Sequence, residues 1–296
     1  EFRRVLFRSK IDGIAGDSTS KGHEGWFELS TVGFAQSSSA NTSGGTSDLS
    51  TGATSFSDVS LGLDSDSALV RLLSTLTTSQ RIGSVEIEGV TNGESPQTVF
   101  DMTLNDVQLT SFTGGDAAGG DSRFFATLDY GKIGVVTTGQ LPDGSPGPQQ
   151  SFGWDVLANK AIDPATLETP SSSSTSGVPD PVDYYLRIDG IAGTSTDKGH
   201  EGWIKLDSYT LAESVASALT TGGSGAGSAK PSFDDLHLSI SDAAVLPALL
   251  AKIASGQHIA SLEIEGVTAG DAPRTVFDLT LNTVVVSSLA AGVAEG

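Results

Sequence analysis

The chain contains one long pattern that occurs twice. IDGIAGDSTSKGHEGWFEL (residues 11–29) returns as IDGIAGTSTDKGHEGWIKL (188–206), and IGSVEIEGVTNGESPQTVFDMTLN (82–105) returns as IASLEIEGVTAGDAPRTVFDLTLN (259–282). Both pairs are offset by 177 residues (188 − 11 and 259 − 82), so no net insertion separates the copies. Solenoid repeats are typically about 20–50 residues long, and a period this much longer indicates duplicated whole domains.

The repeat divides the 296 residues into segments. We expect a first domain over residues 10–160, a Pro/Ser-rich linker over 161–183, and a second domain over 184–296. The second domain is predicted to be truncated, because the residues of the first copy after about Gly119 would map past the last residue. Residues 1–9 do not match the second copy, and we interpret them as a non-native segment outside the fold. Any signal peptide would then lie upstream.

The composition restricts the possible partners. Asp and Glu number 36 against 16 Lys and Arg, which gives a formal net charge of −20. This argues against nucleic acid and against an anionic membrane surface, since both attract clustered Lys and Arg. No apolar run approaches the roughly 20 residues of a membrane span. The chain has no Cys, so disulfides and thiolate metal sites are excluded.

Hydrophobic periodicity predicts a mainly β chain with one helix in each copy. Val85 and Ile87 alternate with Glu86 and Glu88, which places the apolar side chains on one face of a strand. Helical spacing is found at Leu69, Leu72, Leu73 and Leu76, and again at Leu246, Leu249, Leu250 and Ile253. Many short strands with Gly-rich turns favour a barrel or a sandwich.

Two patterns could carry chemistry. His23-Glu24 and His200-Glu201 begin a zincin-like H-E-x-x-H, but Phe27 and Ile204 stand where the second His would be. We therefore favour a structural turn, in which His23, Trp26, His200 and Trp203 pack at a barrel end, over a metal site. The carboxylates of Glu86/Glu88 and Glu263/Glu265 could form an acid–base pair; we favour an exposed, solvated acidic face.

The segment GGDAAGGDS (114–122) has the Gly and Asp content of calcium-binding repeats. It lacks the period of those repeats and indicates a loop.

The order of the motifs resembles a known family. An IDGIxGxSTDKGHEGW opening is followed by a long Gly/Ser loop, a PALLAKIASGQH helix, an EIEG strand, a VFDLTL strand and a closing GWDV. This order is similar to that of the haemolysin-coregulated protein (Hcp) family, the tube protein of bacterial type VI secretion systems. The resemblance implies two tandem Hcp-like β-barrels, each with one α-helix packed on its side. It further implies hexameric rings that stack into a hollow tube, with no catalytic activity and no cofactor or metal.

The same resemblance points to a contact loop. Residues 37–55 and 214–232 lie where the family has an extended loop for contacts between rings. The candidate ring-stacking residues are Ser43, Gly44, Gly45, Gly222, Gly223 and Ser224. The chain departs from the usual family pattern in carrying two units, and its negative charge opposes close stacking.

These observations lead to one main hypothesis and two alternatives. We expect a non-enzymatic protein that self-associates into rings or tubes, is assembled in the cytoplasm and is secreted by a contractile apparatus, with effectors and other apparatus proteins as further partners. One alternative is an extracellular or surface interaction module built from repeated Hcp-like domains. A more distant one is an enzyme whose catalytic unit lies outside this sequence.

Overall fold

The computed structural model describes most of the chain, in two compact units. The described residues are 4–40, 51–64, 68–93, 95–117, 123–141, 144–171, 182–216, 230–269 and 273–291. The first unit comprises Glu1–Gly114, Ser122–Pro179 and Leu211–Asp235, and the second comprises Gly115–Asp121, Asp180–Thr210 and Leu236–Gly296. The domain boundaries expected from the repeat stay predictions.

The first half of the chain forms a closed antiparallel barrel. Its elements are β1 (Val5–Ile11), β2 (Phe27–Gly33), β3 (Gln36–Ala40), β4 (Thr51–Phe56), β5 (Val59–Leu63), α1 (Leu69–Thr77), β6 (Arg81–Thr91), β7 (Thr98–Ala117), β8 (Arg123–Asp129), β9 (Lys132–Gln140), β10 (Pro146–Asp155) and β11 (Lys160–Ala161). Strand β1 pairs with β2 and β6, β2 with β5, β5 with β8, β8 with β7, and β7 with β6. This ring of six strands confirms the predicted barrel.

Alternation along the strands fills the barrel. The fully buried side chains of this half include Phe27, Leu61, Leu63, Ile87, Met102, Phe112 and Phe124. One apolar face of α1 is also buried, through Leu69, Leu72 and Leu76. The helix therefore covers one side of the barrel, because its leucines recur at the spacing of a single helical face.

The second half repeats part of this arrangement. Its elements are β12 (Val182–Ile188), β13 (Ile204–Leu206), β14 (Ser208–Ser214), β15 (Ser232–Phe233), β16 (His237–Ser239), α2 (Leu246–Ser255), β17 (Ile259–Thr268) and β18 (Thr275–Val284). Four of these strands form an antiparallel sheet in the order β13-β12-β17-β18. With an offset of 177 residues, this order reproduces β2-β1-β6-β7. The prediction of a mainly β chain with one α-helix in each copy is confirmed.

The first residues of the chain require a correction. Residues 1–9 were expected to lie outside the fold, but Val5–Ser9 form most of β1 and pair with β6 from Val5↔Thr91 to Ser9↔Ile87. Backbone pairing does not depend on residue identity, and Val5, Phe7 and Ile11 share one face of the strand with the buried Ser9. Residue 5 is also in the position of Val182, at the same 177-residue offset. The non-native origin of these residues stays a prediction.

None of the helices in the described part of the chain is long and apolar enough to span a membrane.

Candidate functional site

The backbone of the KGHEGW segment forms a compact turn that is the same in both copies. In the first copy, the amide of Gly16 donates to the carbonyl of Gly25 at 2.8 Å, and the amide of Trp26 donates to His23 at 3.2 Å. In the second copy, Gly193 donates to Gly202 at 2.8 Å. Gly25 has φ 75° and Gly202 has φ 78°, a left-handed conformation that glycine adopts most readily. The repeated glycines therefore fix the path of the chain.

The histidine of each turn contacts a carboxylate and a tryptophan. Nε2 of His23 lies 2.6 Å from Oε2 of Glu88, and its ring meets Trp26 edge-on at a centroid distance of 4.8 Å. The second copy has the same arrangement, with 2.9 Å between His200 and Glu265 and 4.9 Å between the rings of His200 and Trp203. The four residues singled out in the sequence thus form two matching groups. Each imidazole fastens its turn to the strand that carries the glutamate.

The two turns differ in what packs against the histidine. In the second copy the ring of Tyr185 stacks on His200 at 4.1 Å, and its hydroxyl donates to Asp197 at 2.8 Å. Burial raises the pKa of the Tyr185 hydroxyl, and the bond to Asp197 adds to that shift. In the first copy Arg8 stands in this position and donates to Ser20 at 3.2 Å. An aromatic contact in one copy is thus replaced by a guanidinium in the other.

The tryptophans pack with a basic side chain above each ring. Trp26 is buried, whereas Trp203 is partly exposed. Lys10 lies 5.9 Å from the ring centre of Trp26, and Arg187 lies 4.8 Å from that of Trp203. Such cation–π contacts stabilise the packing of an indole ring. These positions fit the structural interpretation of the turn.

Three carboxylates lie together beside the first turn. Oxygen atoms of Glu86, Glu88 and Asp101 all lie within 4.8 Å of one another. Burial raises the pKa of Glu86 to about 7, with further contributions from Asp101 and Glu88. Burial also raises the pKa of Asp101, as does the charge of Glu88. The expected solvated acidic face is therefore corrected: these side chains are half-buried, since the turn lies over Glu88.

The second copy of this cluster is electrostatically different. Arg187 forms an ion pair with Glu263, and Asp278 is exposed. The matching position to Arg187 in the first copy is Lys10, whose charge partly offsets the raised pKa of Glu86. Sequence inspection found the glutamates in both copies but missed Asp101, because the β6–β7 register that places it opposite Glu88 is not visible in a linear pattern.

The carboxylate cluster offers the oxygen ligands that hard cations prefer. It is the one group of three or more ligand-type side chains with suitable spacing among the described residues. Exposed and half-exposed acidic groups commonly cluster without an ion, and one of these carboxylates is already bonded to His23. The position of the second imidazole of a zincin-like motif is occupied by Phe27, which is buried. The interpretation of the turn as a structural element stays a prediction.

The candidate ring-stacking residues lie outside the described residues. Ser43, Gly44 and Gly45 fall between residues 40 and 51, and the matching Gly222, Gly223 and Ser224 fall between residues 216 and 230. Their role stays a prediction.

Comparison with solved structures shows a shared fold. A type six secretion system protein superimposes with a TM-score of 0.50 at 22% identity, covering 53% of this chain and 99% of its own. Hcp1 from Salmonella typhimurium gives a TM-score of 0.43 at 18% identity, covering 54% of this chain and 99% of its own. A type VI secretion system effector from Yersinia pestis gives 0.39 at 19% identity, with 51% and 99% covered. The first of these supports the fold.

Comparison with protein families identifies both copies. No curated protein matches the chain. The family model described as "Type VI secretion system effector, Hcp" matches residues 9–136 and 185–295, which together make up most of the chain. Each matched segment contains one copy of the repeat. The chain therefore belongs to the Hcp family of type VI secretion system effectors.

Proposed function

We propose that the chain is a structural component of a bacterial type VI secretion system that self-associates into rings or tubes. The observation that carries this proposal is the match of the family model to two segments, each of which contains one copy of the repeat. In this proposal the protein has no catalytic role. It is assembled in the cytoplasm and secreted by a contractile apparatus.

The barrel wall carries an aromatic residue suited to a protein interface. Along β8, Phe124 is buried with 1% of its surface exposed, whereas the next residue, Phe125, is 50% exposed. The alternation of a strand directs Phe125 away from the barrel interior. Its ring lies near Gly62, which has no side chain to cover it. Exposed aromatic side chains of this kind are typical anchors of protein interfaces.

A second aromatic group is centred on β10. The rings of Phe152 and Trp154 are stacked with centroids 6.4 Å apart, and Phe56 lies 6.3 Å from Trp154. Phe152 is 41% exposed, so one face of the group meets solvent. We assign this group and Phe125 as candidate contacts between copies of the chain.

Effectors are further proposed partners, held by the assembled rings or fused to them. A tandem chain supplies two positions to such an assembly. The competing function is an extracellular or surface interaction module, which the Ser, Thr, Gly and Asp content and the absence of Cys also fit. Neighbouring genes for a contractile sheath favour the tube; a full-length gene with a signal peptide and further repeats favours the module.

Sedimentation velocity tests the self-association and the assigned contact together. We expect the unmodified chain to sediment as a discrete oligomer, Phe125→Asp to shift it towards monomer, and Phe125→Leu to have a smaller effect. A monomer at every concentration would contradict the proposed function. If the chain forms an oligomer that Phe125→Asp leaves intact, the assignment of Phe125 as a contact is wrong. The proposed self-association would still hold.

A further inference from the structure

A segment from the second half of the sequence is part of the first compact unit. This unit includes Leu211–Asp235, which contains the end of β14 and all of β15. Strand β14 pairs with β7. Directly after β14, the amide of Val215 donates to the carbonyl of Thr110 on β7 at 2.9 Å, and Val215 is buried. We call residues 211–215 the docked strand, because they pack along an edge of the first barrel.

The docked strand buries a carboxyl group. Glu213 is its one ionisable residue and is only 2% exposed. Oε1 of Glu213 accepts a hydrogen bond from Oγ1 of Thr77, the last residue of α1, at 2.9 Å. Oε2 is also buried and has no hydrogen-bond partner among the residues that the structure describes. Burial of an ionised carboxylate costs far more than burial of its protonated form, so docking and ionisation of Glu213 oppose each other.

No neighbouring charge offsets this burial in the described part of the chain. On β15 the residue opposite Glu213 is Phe233. The charged side chains described on the other two elements that pack here are Arg71 on α1 and Asp101 and Asp106 on β7. None of them acts on the pKa of Glu213, which is raised by burial and lowered by the bond from Thr77. The carboxylate therefore has no charged partner when its proton leaves.

The first copy has a neutral residue in the matching position. Gln36 lies opposite Phe56 in the β3–β4 hairpin, just as Glu213 lies opposite Phe233 between β14 and β15. Gln36 is exposed. The same strand pairing thus forms with either side chain, which makes glutamine a suitable replacement at position 213.

We propose that the docked strand is a proton-dependent contact: protonated Glu213 holds residues 211–215 against α1 and β7, and loss of the proton releases them. Because the carboxyl group binds its proton more tightly when docked, docking is strongest below the ordinary pKa of 4.5 and weakens as the pH rises through the raised value. The docked strand precedes the candidate ring-stacking residues Gly222, Gly223 and Ser224 in the sequence. The inference does not depend on the assembly into rings.

Amide hydrogen exchange of the full chain at pH 5 and pH 8 tests this contact. With each rate divided by the intrinsic rate at the same pH, we expect protection of the Val215 amide to fall several-fold from pH 5 to pH 8. Glu213→Gln keeps a side-chain oxygen for Thr77 but cannot titrate, so its protection at Val215 should be the same at both pH values. An equal fall in the parent chain and in Glu213→Gln would overturn the proposal, as would no fall in the parent chain.

Two further variants separate this contact from other sources of pH dependence. Glu86→Gln is the matched control, because the pKa of Glu86 is about 7 and lies in the same range. It should leave the fall at Val215 unchanged; loss of the fall would assign the effect to Glu86 and overturn the proposal. Thr77→Val removes the bond that lowers the pKa of Glu213, so protection should fall further than in the parent chain. A smaller fall in Thr77→Val would also overturn the proposal.

Discussion

Nε2 of His23 lies 2.6 Å from Oε2 of Glu88, and the pair recurs as His200 and Glu265 at 2.9 Å. In each copy the two partners are 65 residues apart. A duplicated bond between distant segments ties the KGHEGW turn to the neighbouring strand. The same His–Glu contact therefore recurs in both copies.

Loss of either imidazole should weaken its own copy. We expect His23→Ala to lower the free energy of unfolding by about 1–2 kcal/mol, since the half-buried Glu88 loses its partner. His200→Ala should have a larger effect, because Tyr185 also loses a stacked ring at 4.1 Å. Urea denaturation followed by fluorescence and circular dichroism measures both. Equal stability of the variants and the parent chain would show that these bonds contribute nothing.

Substitution of a glycine in the turn by alanine should also destabilise the protein. A Cβ on Gly16 would overlap the carbonyl of Trp26, and a Cβ on Gly193 would overlap that of Trp203. We expect Gly16→Ala and Gly193→Ala each to destabilise the protein by about 1–3 kcal/mol, because backbone atoms cannot move aside as a flexible side chain can. Gly139→Ala is the matched control, since its Cβ would meet Pro148 at an ordinary 3.6 Å. Thermal unfolding that shifts equally for all three would refute the steric account.

Ser9 and Leu186 occupy matching positions in the two copies, and substitutions at the two positions should change the free energy of unfolding in opposite directions. Both are fully buried, but the hydroxyl of Ser9 has no hydrogen-bond partner among the residues that the structure describes. Ser9→Ala should raise the free energy of unfolding by about 1 kcal/mol, because it removes an unsatisfied polar group. Leu186→Ser should lower it by about 3 kcal/mol or more, through lost packing and a new buried hydroxyl. Chemical denaturation of the two variants checks the signs; stabilisation by Leu186→Ser would contradict the assignment.

The raised pKa of Glu86 predicts a pH dependence of stability. Its folded value of about 7 exceeds its ordinary value of 4.5, so the folded state binds the proton more tightly. Below pH 4.5 Glu86 is protonated in both states and does not lower the free energy of unfolding. As the pH rises from 4.5 towards 7, the unfolded state loses this proton more readily, and the free energy of unfolding falls. Above pH 7 the loss is complete and no longer changes with pH. Glu86→Gln should flatten this part of the profile and gain about 1 kcal/mol at pH 8, a figure reduced for solvent access.

The matched control for that experiment is Glu263→Gln. It removes the ion pair with Arg187 instead of relieving a crowded carboxylate. We expect it to leave stability unchanged or slightly lower. If the two glutamine variants have the same pH profile as the parent chain, burial of Glu86 does not control stability in this range.

Self-association should become stronger with added salt. With a net charge of −20, copies of the chain repel one another, and the screening length falls from about 10 Å at 0.1 M salt to about 3 Å at 1 M. We expect the oligomer fraction at fixed protein concentration to rise over this interval. Static light scattering follows the change; a falling molar mass would indicate contacts dominated by opposite charges instead.

Local patterns in the sequence predicted most elements of the fold. The alternation around Val85 and Ile87 and the leucine spacing of α1 identify strand and helix because each periodicity reflects a single buried face. The duplicated segments also revealed two copies of one domain family. Strand β1 was missed because the comparison with the second copy emphasised residue identity, whereas the pairing of β1 with β6 uses backbone groups that every residue carries.

The site could be predicted only in part, because its contacts depend on register. The residues of the HEGW motif were found from the repeat. The contact between His23 and Glu88 could not be predicted, because it forms only when the turn lies over β6. Asp101 joins the cluster through the pairing of β6 with β7. The half-burial that raises the pKa of Glu86 arises from this packing.

Negative-stain electron microscopy of the purified chain at high salt tests the central claim most directly. The account predicts closed rings of uniform diameter, or short stacks of them, in which each chain contributes two similar densities. Particles that remain single chains at the highest soluble concentration, with no rings at any salt concentration, would contradict it.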